Sequence, residues 1–213
     1  MLIGIDFDNT IACYDDLFAR LALEAGYLDA VPAGGKIAVR DAVRLHHDDM
    51  AWQRMQADAY GARMAEAEMM PGFLGFVGSA RRLGVPLVVV SHKSIFSNAV
   101  PGPNLRYAAL GWMRANGFFD SGGLGFSVDD IYFEGSQREK VARINELGCT
   151  HFIDDLREVF AEKSFPDEVL RILLSTGGED ADTADAVISD WFDIRDFIFH
   201  DLEIYNDLGR AVA

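Results

Sequence analysis

Residues 2–10, Leu-Ile-Gly-Ile-Asp-Phe-Asp-Asn-Thr, restrict the fold more than any other stretch of the chain. A short apolar run without polar alternation suits a strand buried on both faces, as in a parallel sheet covered by helices. The run ends in Asp6 and Asp8, followed by Asn9 and Thr10. In open α/β sheets, ligands collect outside the carboxyl ends of the strands. Two carboxylates at such an end can hold a divalent cation. One can attack phosphorus while the other moves protons. Asp and Asn also favour turns for local reasons, so this segment alone leaves a purely structural strand end open.

Further apolar runs predict strands at 86–91, 131–134, 151–154 and 170–175, with a short one at 186–189. The stretches between them have helical period. Phe73, Phe76, Val77, Ala80 and Leu83 form one apolar stripe ended by Gly84, and Leu105, Ala108, Ala109, Trp112 and Met113 form another ended near Gly117. Ser136 and Glu139 have the spacing of a capping box. Strands alternating with helices imply right-handed crossovers and an α/β, Rossmann-like, mostly parallel sheet with helices on both faces. Residues 14–70 break the alternation: Leu17, Phe18, Leu21 and Ala22 make a helical stripe, and 41–47 and 50–67 also read as helix. This is too long for a loop. It predicts a small helical insertion after the first strand, with the main domain at 1–13 and 71–213.

The formal charge of −15 sets the chain against nucleic acid and anionic membranes as partners. No apolar stretch approaches the ~20 residues that a membrane helix needs. The start of the chain runs directly into a strand, which points to the cytoplasm. Cys13 and Cys149 are isolated, with no zinc spacing and no disulfide framework.

Three later segments bring chemistry to the same sheet edge as Asp6. The strand at 86–91 ends in Ser91, followed by His92 and Lys93. A hydroxyl there, with backbone N–H groups beyond it, suits a phosphoryl oxygen; it equally suits a turn. Lys140, one of only four lysines, falls in the first turn of a helix that starts at that edge. Its charge opposes the helix dipole, which hints at a task, although a solvated lysine fits too. The strand at 151–154 ends in the adjacent acids Asp154 and Asp155. Four carboxylates at one edge repel unless a cation compensates, and oxygen-only ligands favour Mg²⁺ over Zn²⁺.

Together these motifs resemble the haloacid dehalogenase (HAD) superfamily, which consists mostly of phosphatases. The Ile3–Thr10 run matches its Asp-x-Asp-x-Thr motif, Val88-Val-Val-Ser91 its second, Lys140 its third, and Phe152-Ile-Asp154-Asp155 its fourth, over about residues 1–160. The insertion corresponds to a cap of the C1 type. The resemblance implies that Asp6 forms an aspartyl-phosphate and that Asp8 protonates the leaving oxygen and then activates water. It implies Mg²⁺ held by Asp6, the Asp8 carbonyl and a fourth-motif acid, Asp155 rather than Asp154. Ser91 and Lys140 would bind phosphoryl oxygens, Lys140 would also restrain Asp6, and Thr10, His92 and Lys93 are further candidates for phosphate and substrate binding. Dehalogenases of the superfamily lack the second acid of the first motif, so Asp8 favours phosphate esters.

The expected activity is therefore Mg²⁺-dependent hydrolysis of a small phosphorylated metabolite. A phosphotransferase or mutase, an acyl- or glyceryl-handling relative using Cys13, and a non-catalytic phosphate-binding module are the alternatives. Lys36, Arg40, Arg44, Arg54 and Arg63 in the insertion, or the 94–104 loop with Lys93 and Arg106 beside it, are the candidates for reading the substrate. His46-His47-Asp48-Asp49 reads as solvated surface rather than a metal site, because adjacent residues point apart on a helix.

Overall fold

A computed structural model describes residues 1–97, 102–175 and 182–211, with side chains as far as 202. In chain order the strands are β1 (Ile3–Ile5), β2 (Ala12–Cys13), β3 (Glu68–Met69), β4 (Leu87–His92), β5 (Ile131–Glu134), β6 (His151–Asp154), β7 (Leu170–Leu174) and β8 (Ala186–Ile188). The α-helices are α1 (Asp15–Glu24), α2 (Gly35–His46), α3 (Asp49–Ala57), α4 (Phe73–Leu83), α5 (Leu105–Ala115), α6 (Gln137–Leu147), α7 (Arg157–Phe160) and α8 (Trp191–Ala211). The chain divides into a sheet unit, Met1–Ile11, Met70–His92 and Phe118–Ala213, and a helical unit, Ala12–Met69 and Lys93–Gly117. No helix among the described residues is long and apolar enough to cross a membrane.

The sheet unit is built on six parallel strands in the order β5-β4-β1-β6-β7-β8. The chain leaves β1 toward β4 and β5, then returns across it to β6, β7 and β8. Right-handed crossovers running in opposite directions put α4 and α6 on opposite faces. The reversal makes the β1–β6 boundary the switch point at which such sheets open a ligand crevice. Under α6 lies a core of Val88, Val90, Val141, Ile144, Phe152 and Leu173. Phe76 packs against Trp191 and Phe199, joining α4 to α8. The predicted capping box is half formed: the Ser136 hydroxyl accepts from the Glu139 N–H at 3.2 Å.

The helical unit differs from the sequence reading in four ways. Residues 93–117, with α5, are part of it as well as 12–69. Trp112 of α5 is buried and donates its indole N–H to the Ala67 carbonyl at 2.8 Å. β2 and β3 form a two-residue antiparallel ladder, too short to leave a period in the sequence. Helix α2 starts six residues before 41, at Gly35, because the Asp15 carboxylate accepts the Lys36 N–H at 2.8 Å. The expected helix at 50–67 breaks after Ala57 into a π-helical turn, Asp58–Ala62, and a 3₁₀ turn, Met64–Glu66. Part of the 94–104 loop, residues 98–101, lies outside the described residues.

One close approach in the sheet unit sets the space under the site. Gly4 lies beside Phe152 in register, and a Cβ on it would fall 2.6 Å from the Phe152 ring and 3.0 Å from the Cys149 sulfur. Gly4→Ala should therefore cost about 1–3 kcal/mol through overpacking. Phe152→Leu in the same chain should recover part of that loss. Urea titrations of the two single variants and the double variant check this; strict additivity would mean that the ring is not the obstacle.

Candidate active site

Strand register alone creates a charge conflict at the carboxyl edge. Ile5 of β1 is paired with Ile153 of β6, and the Asp6 N–H donates to the Ile153 carbonyl at 2.9 Å. Asp6 and Asp154 each follow their paired isoleucine. They therefore stand side by side on the same face of adjacent strands, which lie about 4.8 Å apart. Asp6 is 5% exposed and Asp154 is fully buried. Two anions held this close in a dry setting are costly unless a cation lies between them.

Lys140 supplies that cation. Its Nζ donates to Asp6 Oδ1 at 2.5 Å and to Asp154 Oδ2 at 2.6 Å. The residue is 1% exposed, and its ammonium lies over the Phe152 ring at 5.4 Å from the centroid. The chain of constraints is physical: Gly4 leaves room for Phe152, and Phe152 floors the path of Lys140 to both acids. Burial works against the ammonium, but Asp154 and then Asp6 outweigh it, so the Lys140 pKa is raised. For Asp154, burial pushes the carboxyl up, Lys140 pulls it back and Asp6 pushes it up again, leaving it at about 7. The two shifts share one cause. A single ammonium facing two carboxylates is over-compensated, and each carboxylate is under-compensated.

Asp155 joins the pair. Carboxylate oxygens of Asp6, Asp154 and Asp155 lie within 4.8 Å of one another, the one such cluster of three among the described residues. Three carboxylates and one ammonium leave a formal charge of −2 and an all-oxygen donor set, which fits a hard divalent cation. Within the cluster Asp154 is committed: Oδ2 receives Lys140 and Oδ1 receives the Leu156 N–H at 3.0 Å. Asp155 accepts a long contact from the Thr10 hydroxyl at 3.5 Å.

The loop between Asp6 and Thr10 is fixed from both ends. Asn9 adopts the left-handed backbone, φ 60°, which Asn tolerates and which turns the chain directly after Asp8. At the far end, the Trp191 indole N–H donates to the Thr10 carbonyl at 2.8 Å. Trp191 is buried against Phe73 and Phe76. Asp190 holds the first turn of α8 by accepting the Phe192 and Asp193 N–H groups, both at 2.9 Å. Nothing in the sequence marked Trp191 as a partner of this loop, since the contact spans 181 residues.

The remaining candidates separate. Thr10 is buried in the sheet unit, as is Ser91 at the end of β4, where His92, the last strand residue, is exposed. Asp8 is half-buried, and its carboxylate is not a member of the three-acid cluster. Lys93 is 4% exposed and belongs to the helical unit. Its ammonium lies over the Tyr60 ring, and its carbonyl accepts the Arg106 Nε–H at 2.9 Å. Of the basic residues in the insertion, Arg40 pairs with Asp41, Arg44 with Asp49, and Arg63 with Glu24 and Glu66. In the 46–49 run, His47 Nε2 meets the Tyr27 carbonyl at 2.9 Å, and Asp48 caps α3 through the Ala51 N–H at 2.7 Å.

No family model matches the chain, and no curated protein matches it. Solved structures do. A HAD family hydrolase from Deinococcus radiodurans R1, with bound phosphate and sodium, is similar over 93% of this chain and 95% of its own, at 14% identity and a TM-score of 0.59. A HAD hydrolase of family IA, variant 3, from Entamoeba histolytica covers 90% and 94%, at 10% identity and a TM-score of 0.58. A predicted phosphatase from Clostridium acetobutylicum covers 93% and 98%, at 13% identity and a TM-score of 0.56. The chain has the fold of the HAD hydrolases, over almost its whole length.

Removing the ammonium tests the electrostatic reading. In metal-free buffer near neutral pH, Lys140→Met should lower the unfolding free energy by about 3–5 kcal/mol, the usual cost of stranding buried charge. The deficit should shrink as the pH falls. Without Lys140 the folded carboxyls titrate above the unfolded value of about 3.9, so the folded state takes up protons first and gains stability on acidification. Urea titrations between pH 5 and 8 check this, and a deficit independent of pH would contradict it.

Proposed function

We propose that the protein is a Mg²⁺-dependent phosphomonoester hydrolase that acts on a small phosphorylated metabolite through an aspartyl-phosphate at Asp6. The observation that carries this reading is the buried bridge from Lys140 to Asp6 and Asp154, with Asp155 beside it. The bridge sets an ammonium against the Asp6 carboxylate and aims it, as a carboxylate nucleophile needs. The phosphate held by the Deinococcus fold relative is in keeping with such a ligand.

In this reading an Asp6 oxygen attacks phosphorus as the ester P–O bond breaks. Asp8 gives the leaving oxygen its proton, and the alcohol departs. Asp8, now a carboxylate, takes a proton from water, whose oxygen attacks phosphorus and releases inorganic phosphate, regenerating Asp6. The Ser91 hydroxyl and the Lys140 ammonium bind phosphoryl oxygens, with Thr10, His92 and Lys93 as further candidates for substrate contact. Asp6, the Asp8 carbonyl and Asp155 would hold Mg²⁺, which when bound supplies charge neutralisation for the phosphoryl oxygens. An acyl-transfer role through Cys13 finds less support. Burial, and then the nearby acids Asp15, Asp16 and Glu68, push that thiol pKa up, and a backbone hydrogen bond opposes them only in part.

Phosphate release from a panel of phosphate esters, with and without Mg²⁺, tests the reaction. Activity should need Mg²⁺, and Asp6→Asn should bring it to background while the thermal unfolding transition is kept. Residual turnover of more than a few per cent would remove Asp6 from the nucleophile's role. The ligand order has its own test. Mg²⁺ should raise the Tm of the wild type through binding to the folded state alone. Asp155→Asn should lose most of that rise. A rise that survives Asp155→Asn but vanishes in Asp154→Asn would reverse the assignment.

A further inference from the structure

We propose that Trp191 is a positioning residue for Asp8: its indole N–H anchors the far end of the loop that carries Asp8, and that anchor sets the delivery of the proton to the leaving oxygen. The role of Asp8 rests on the hydrolase reading; the anchor itself does not. Every residue in the contact belongs to the sheet unit.

The loop from Asp6 to Ile11 is held differently at its two ends. At the start, the Asp6 N–H donates to the Ile153 carbonyl at 2.9 Å and the Asp6 carboxylate receives Lys140. At the far end, Thr10 is fully buried. A buried carbonyl needs a partner, and the Thr10 carbonyl takes the Trp191 N–H at 2.8 Å. The Ile11 N–H returns to the Phe7 carbonyl at 2.9 Å, and the Ile11 carbonyl accepts the Met70 N–H at 2.8 Å. Asp8 and Asn9 lie between the two ends, half-buried, where Asn9 turns the chain at φ 60°. A shift of the Thr10 carbonyl is therefore passed to Asn9 and Asp8, while Asp6 stays with the sheet and Lys140.

The indole is itself immobilised. Trp191 is buried, with Phe73 meeting its ring at 5.0 Å and 69° and Phe76 at 4.8 Å and 55°. Gly72 makes room for it: a Cβ there would fall 3.0 Å from the Trp191 Cβ and 3.1 Å from the Phe192 ring. Asp190 fastens the turn that bears it by accepting the Phe192 and Asp193 N–H groups. Any large aromatic ring serves packing of this kind; the directed donor is what Trp adds. That donor is spent on the Thr10 carbonyl. Removing it strands the carbonyl in a dry setting, and the loop must shift to find another partner.

A general acid must reach the leaving oxygen within hydrogen-bond distance, and a misplacement of about 1 Å costs up to ~10²-fold. Alkoxide leaving groups depend on that proton, whereas nitrophenolate departs with little help. Loss of the anchor should therefore appear in the dependence on leaving group.

The test compares kcat/KM, which reports the steps up to departure of the alcohol, for an alkyl phosphate and for nitrophenyl phosphate with Mg²⁺ present. Trp191→Phe keeps an aromatic ring and removes the donor, and the alkyl-to-nitrophenyl ratio should fall by about tenfold. Val169→Ala, which truncates a buried side chain beside β7, should lower the Tm and leave the ratio unchanged. If Trp191→Phe does not fold, Asp190 carries the same test: Asp190→Ala should lower the ratio, and Asp190→Asn, which keeps the cap, should restore it. Hydrogen exchange gives an arm that needs no substrate. Peptides within residues 7–12 should exchange about threefold faster or more in Trp191→Phe than in Val169→Ala. An unchanged ratio in Trp191→Phe, an equal fall in Val169→Ala, equal ratios in the two Asp190 variants, or equal exchange over 7–12 overturns the proposal. A wild type that turns over no ester defeats the hydrolase reading, and the exchange arm still decides whether Trp191 holds the loop.

Discussion

One buried ammonium holds two carboxylates together at the carboxyl edge of the sheet. The parallel register of β1 and β6 forces two carboxylates to the same place, and Lys140 makes that arrangement affordable. Without it two adjacent carboxyl groups would face each other in a setting almost closed to water. With it, the edge still falls short of neutrality once Asp155 is counted.

The supports of Lys140 are spread along the chain. Gly4 admits the Phe152 ring, Ser136 caps the helix that bears the lysine, and Leu156 ties down the second oxygen of Asp154. Trp191, from the last described helix, holds the carbonyl of Thr10 at the end of the loop that begins at Asp6. Each contact is modest in energy. Together they restrict where the Asp6 carboxylate can point, and preorganisation of this kind is where phosphoryl-transfer sites gain most of their rate.

Much of the sheet unit was legible from residue types. Buried parallel strands are short apolar runs, so β5 and β6 fall where expected, and β1, β4, β7 and β8 differ only at their ends. Lys140, Asp154 and Asp155 could be placed at one edge because helices that follow parallel strands begin at that edge. The direct bridge from Lys140 to both acids was beyond reach, since it depends on a rotamer and on the floor provided by Phe152. The helical unit was read less well. A π-helical turn, a two-residue ladder and an Asp15 contact that advances the start of α2 have no signature in local pattern. The convergence of Lys36 and Lys93 on Tyr60 joins three distant segments, and the indole hydrogen bond from α5 to Ala67 spans 45 residues.

The central claim is that Asp6 bonds to phosphorus. The most direct measurement traps that bond. Wild-type protein is mixed with Mg²⁺ and a turned-over ester, quenched within one turnover, and reduced with borohydride, which converts an acyl phosphate to an alcohol. Peptide mass spectrometry should then find position 6 as homoserine, with Asp8, Asp154 and Asp155 unmodified. Phosphate release with no reduced residue at position 6, or with reduction at another carboxylate, would contradict the account.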